Sequence, residues 1–108
     1  MSQTIAIILR FRKEEADHFE ELFRAEVYPI WEEFKAEGKF IAASLTPVQG
    51  GSEGKEGVRD YILHVEAPGM DAHNEFDTLP RFLTFLEKAR KMQPEEPKVW
   101  FGDTLFQI

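Results

Sequence analysis

VRDYILHVEAPGMDAHNEF, residues 58–76, holds a strand, a turn and a helix entrance in direct succession. Residues 58–66 are rich in β-branched and aromatic types. Alternation puts Arg59, Tyr61, Leu63 and Val65 on one face and Val58, Asp60, Ile62, His64 and Glu66 on the other. Pro68-Gly69 ends the strand, because proline has no N–H for the ladder and glycine accepts the backbone angles of a turn. Asp71 is then placed to accept from the free N–H groups of the following helix.

Upstream, residues 4–12, TIAIILRFR, form a first strand with Ile5, Ile7, Leu9 and Phe11 on one face and Thr4, Ala6, Ile8, Arg10 and Arg12 on the other. Lys13 to Glu37 has helical spacing, with Ala16, Phe19, Phe23, Val27, Ile30 and Phe34 on one stripe. Pro29 should kink or split this helix after Tyr28, since its ring meets the carbonyl four residues back, and Gly38 is a natural stop. Lys39 to Val48 is predicted as the second strand, with Ile41, Ala43 and Leu45 opposite Phe40, Ala42 and Ser44. The glycine-rich PVQGGSEGKEG that overlaps its end, residues 47–57, reads as a mobile hairpin connection.

Downstream of the quoted stretch, Asp77 or Thr78 is expected to cap a helix that runs to about Met92, with Pro80 in its first turn. Its buried stripe is expected to be Leu79, Phe82, Leu83 and Leu86. After QPEEP a last strand is predicted over Lys98–Ile108.

The size and composition suit one domain over residues 1–108: 43% of residues are apolar and ten are phenylalanine, which argues for a packed core. With no cysteine, disulfides, thiolate metal sites and cysteine nucleophiles are excluded. A formal charge of −7 without a sizeable basic patch argues against nucleic acid and anionic membranes as partners. No apolar run reaches membrane-spanning length and no secretory segment is evident, so a cytoplasmic location is expected.

The order β-α-β-β-α-β predicts an α+β, ferredoxin-like fold: a four-stranded antiparallel sheet, order 4-1-3-2, with two main helices on one face. The odd-numbered faces of the first three strands should take the helices. The other face is too apolar to stand in water, with Ala6, Ile8, Phe40, Ala42 and Ile62 on it. At roughly 25 cal/mol per Å² of apolar area, leaving those side chains wet forgoes several kcal/mol. A second copy packed sheet against sheet is the simplest cover, which predicts a homodimer.

The run YILHVEAPGMDAHNEF followed by Phe82-Leu83 resembles the dimeric α/β-barrel group, and within it the antibiotic-biosynthesis-monooxygenase-like proteins. The resemblance implies a dimeric α/β barrel with a cavity between sheet and helices, oxygenation of a small aromatic molecule without a cofactor, and His73 as a site residue. The first strand lacks the asparagine of the haem-degrading branch, and no haem or metal is expected.

Matching parity of the first and third strands puts Arg10 opposite Asp60, Ile8 opposite Ile62 and Ala6 opposite His64, with Ser44 one strand away. Arg10 and Asp60 could orient a phenolate or carboxylate while His64 moves a proton near neutral pH; equally, they form a structural ion pair beside a hydrogen-bonded histidine. Tyr61, Trp31 and Trp100 could line an aromatic-ligand pocket or serve as core. His64, Glu66, Asp71 and His73 match no specific metal motif. The functional expectation is therefore monooxygenase-like action on a small aromatic molecule, with His64 and His73 catalytic and Arg10, Asp60, Tyr61, Trp31 and Trp100 binding. The alternative is a non-catalytic dimeric ligand-binding or stress-response barrel.

Overall fold

In the computed structural model, which describes residues 2–108, β3 (Val58–Ala67) lies between β1 (Gln3–Arg12) and β2 (Ala42–Pro47), and β4 (Lys98–Asp103) flanks β1 on its other side. All three pairings are antiparallel, and the order β2-β3-β1-β4 is the predicted 4-1-3-2 read from the opposite edge. The register is the expected one: Arg10 faces Asp60, Ile8 faces Ile62 and Ala6 faces His64. A slip of one residue would have turned Tyr61 and Val65 outward, so core burial fixes the alignment.

The first helical segment is α1 (Lys13–Leu22), a π-helical turn over Phe23–Val27, and α2 (Tyr28–Ala36). Pro29 explains the wide turn. Its ring would strike the Ala25 carbonyl in a regular helix. The chain widens instead of breaking, so that Tyr28 donates its N–H to the Phe23 carbonyl five residues back. The predicted stripe survives intact, with Ala16, Phe19, Phe23, Val27, Ile30 and Phe34 all buried. Gly38, at φ 72°, ends α2 in the left-handed conformation that a side chain would strain.

The second helical segment consists of α3 (Met70–Thr78) and α4 (Pro80–Arg90). Together the helices cover one side of the sheet. Phe11 stacks on Phe19 at 3.8 Å, Phe19 meets Tyr61 at 5.0 Å, and Phe76 links Phe34 and Phe40 to Phe82. Phe11, Phe19 and Tyr61 are each at most 1% exposed, and burial of such side chains contributes roughly 1.5–3 kcal/mol apiece.

Several sequence expectations are corrected. β2 starts at Ala42, not Lys39, because after Gly38 the N–H groups of Lys39 and Phe40 both turn back to the Phe34 carbonyl. Phe40 therefore enters the helix-side core, while Ile41 is 38% exposed. The fully buried residues of α4 are Phe85 and Ala89, continued by Met92. Of the expected stripe, Leu79 and Phe82 pack partly buried against this core, whereas Leu83 is exposed, because the helix is rotated so that Phe85 reaches Phe19 and Phe23. Neither predicted cap forms. Gly69 and Leu79 precede α3 and α4 without side-chain capping bonds, and the Thr78 hydroxyl instead donates back to the Asn74 carbonyl. β4 ends at Asp103, where the Thr104 N–H bonds the Ser2 carbonyl just beyond the start of β1.

Candidate functional site

Among the described residues no helix covers the other side of the sheet. Antiparallel pairing lays its residues out in rows: Ser44, His64, Ala6 and Trp100 form one, and Thr46, Ile62, Ile8 and Lys98 the next. Arg10 and Asp60 follow as the third. Ile62 is 41% and Trp100 67% exposed on this face. The glycine-rich connection after β2 lies beside the Arg10 end, and with the sheet it lines a half-open cavity of about 530 Å³ that takes in Ile8, Ile62, Arg10, Asp60, Glu95 and Lys98. That size falls in the range of small-molecule sites.

Arg10 organises the rim. Its Nε donates to Asp60 Oδ1 at 2.8 Å and its Nη2 to Asp60 Oδ2 at 2.9 Å, a bidentate pair that is largely shielded from solvent. Nη2 also donates to the Glu53 carbonyl at 3.0 Å, and Nη1 donates to Glu95 Oε1 at 2.8 Å. The bonds to Asp60, reinforced by Glu95, push the Arg10 guanidinium above its ordinary range and keep it charged. Lys98 holds the Glu53 carboxylate at 3.2 Å, so the glycine-rich connection, expected to be a free hairpin loop, is tied to the sheet at both ends of one glutamate.

His64 stands two residues beyond Ile62, ~7 Å along the same face. Its Nε2 is 3.6 Å from Glu66 Oε1. His73 lies elsewhere. It is on α3, in the helical layer, with Nε2 3.1 Å from Asp77 Oδ2. Burial raises the Asp77 carboxyl above its usual range, opposed by the His73 charge.

Tyr61 is likewise on the helix side, where its hydroxyl donates to the Glu20 carboxylate, and Arg59 Nη1 donates to Asp17 at 2.9 Å and Glu20 at 3.0 Å. Burial, then the bond to Glu20, pushes the Tyr61 phenol up to about 12. Trp31 is buried edge-on against Phe23 at 5.0 Å. Thus Arg10, Asp60, His64 and Trp100 share the uncovered face, whereas Tyr61, Trp31 and His73 belong to the helical side, where the space against the sheet is packed with aromatic rings. Among the described residues no three His, Asp or Glu side chains converge as metal ligands.

Glu95 and Glu53 are the rim residues that sequence reading missed. They lie 85 and 43 residues from Arg10, and no local pattern joins them to it. The only available signal was the acidity of QPEEP and GGSEG.

Solved structures share this fold over nearly the whole chain. A Caulobacter crescentus protein provisionally assigned as an antibiotic biosynthesis monooxygenase superposes with a TM-score of 0.74 at 19% identity, over 97% of this chain and 91% of that one. The fold is that of the antibiotic-biosynthesis-monooxygenase-like proteins. A variant of SnoaB, a cofactor-independent oxygenase from Streptomyces nogalater, shares this monooxygenase-like fold with a TM-score of 0.68 at 15% identity, over 99% of this chain and 96% of that one. A dimeric ferredoxin-like protein from an uncultured marine organism gives a TM-score of 0.76 at 12% identity, over 99% and 90%. No family model and no curated protein matches the sequence. No helix among the described residues is long and apolar enough to cross a membrane.

Proposed function

We propose that the protein is a homodimer, joined through the uncovered sheet face, that binds a small aromatic molecule in the cavity beside Arg10 and oxygenates it without a cofactor. The observation that carries this reading is the cavity itself: an apolar floor of Ile8 and Ile62 suits a flat ring, and one charged rim at Arg10 orients it. The exposed Ile62 and Trp100 support the dimer, as does the dimeric state of proteins with the same fold. The reaction class follows that of SnoaB, a protein of the same fold.

In such a reaction an ionised phenol is its own reductant. A ring CH₂ becomes C=O, one atom of O₂ enters the carbon and the other leaves as water, with four electrons drawn from the substrate. His64, on the same side of the sheet but beyond the cavity floor at Ile62, takes the phenolic proton through one intervening water. His73, across the sheet, is left to a structural role with Asp77 in this reading. Trp100 lies on the same face beside Ala6, outside the cavity wall, and serves the dimer contact in this reading. Oxygen uptake with a panel of anthrones and naphthols tests it: turnover that falls at least tenfold in His64→Ala is expected. Absence of uptake with every panel member sinks the catalytic step.

A second reading keeps the dimer and the ligand but not the chemistry. It is favoured by the pairing of the rim, where Asp60 already satisfies Arg10 through two hydrogen bonds. It predicts that a bound phenol raises Tm without consuming oxygen.

A further inference from the structure

Arg10 presents two edges, and its partners on them differ. The edge formed by Nε and one N–H of Nη2 is filled by Asp60, whose side chain is 15% exposed and fixed by its place in β3. The outward edge, formed by Nη1 and Nη2, meets the Glu95 carboxylate and the Glu53 carbonyl instead. These two acceptors stand where the two oxygens of one carboxylate would sit against a guanidinium. Both come from connecting segments, not from strands, and the Glu95 side chain is 47% exposed. One N–H of Nη1 has no partner among the described residues.

We propose that the outward edge of Arg10 is the anchor for an anionic group on the ligand, a ring carboxylate or phenolate, and that Glu95 occupies it in the free protein as an internal competitor. The inference rests on the cavity being a ligand site and adds what selects the ligand. The ring lies over Ile8 and Ile62 while its anion displaces Glu95, and Asp60 stays in place to aim the guanidinium. An exposed ion pair is weak, so the displacement is easy, and Glu95 lowers affinity for anions without blocking them. It does nothing against neutral rings. Glu96 lines the same cavity without bonding Arg10, which makes it the control for charge alone.

The test is calorimetric titration of the protein with 2-naphthoate and with its neutral counterpart 2-naphthamide. Glu95→Gln is expected to tighten 2-naphthoate about threefold, the scale set by an exposed ion pair. The same variant should leave 2-naphthamide unchanged, and Glu96→Gln should alter neither. Equal gains from Glu95→Gln and Glu96→Gln overturn the proposal, because net charge would then be the cause. Equal gains for acid and amide overturn it too, while leaving the cavity as a ligand site. If neither probe binds any variant, the site itself fails and this inference with it.

Discussion

Asp60 and Tyr61 are consecutive residues of β3, yet they live in different surroundings. Tyr61 is 1% exposed, wedged under α1 against Phe11 and Phe19, with its hydroxyl on Glu20. Asp60 stands on the side that no helix covers, at the rim of a cavity, bonded to the one guanidinium that organises it. One side of the sheet is spent on stability through interlocked rings. The other carries apolar residues that one chain leaves wet and polar groups gathered around open space, which is the arrangement expected of a surface reserved for a partner and a ligand.

The contrast can be broken most sharply on the helix side. Phe19→Ala removes a ring in contact with Phe11, Tyr61, Phe23 and Phe85, and should cost about 3–5 kcal/mol in chemical denaturation. A loss below about 1 kcal/mol would mean that the stack is not the source of stability.

On the uncovered side the expected effect is on assembly. Ile62→Glu should convert a micromolar dimer to a monomer in sedimentation velocity while the far-ultraviolet circular dichroism stays unchanged. A wild-type protein already monomeric at that concentration would remove the partner from this face.

The smallest effect sharpens the comparison at the Asp60–Tyr61 step. The Tyr61 phenol is pushed from its ordinary value near 10 up to about 12, so its folded-state pKa exceeds the unfolded one. The stability this contributes is full below pH ~10 and is lost as pH rises through about 12. Tyr61→Phe should cost ~1 kcal/mol at pH 7 through the lost bond to Glu20, and should flatten the fall in Tm between pH 10 and 12. An unchanged alkaline profile would show that this hydroxyl does not titrate with unfolding.

Much of this was legible in the letters, and the physical reason is periodicity. The stripe from Ala16 to Phe34 repeats at helical spacing and is buried throughout, and the alternation of β1 and β3 puts Ile5 and Val65 on one side. The failures came where that signal weakens. Phe40 and Ile41 follow Gly38 in a segment that bonds to the helix end before the ladder starts, so alternation assigned them to the wrong sides. In α4 two apolar stripes compete, and only contact with Phe19 and Phe23 selects Phe85 over Leu83. Thr78 is a good capping type, but its hydroxyl found the Asn74 carbonyl first.

By itself the sequence determined the strands, the helices, their order and the face that each residue of β1 and β3 takes, because those depend on residues a few positions apart. Tertiary structure alone decided that Glu53 and Glu95 complete the shell of Arg10, that the glycine-rich segment lines a cavity beside it, and that His64 and His73 lie on opposite sides of the sheet. Those facts depend on where distant loops and helices come to rest. No repeat along the chain encodes that.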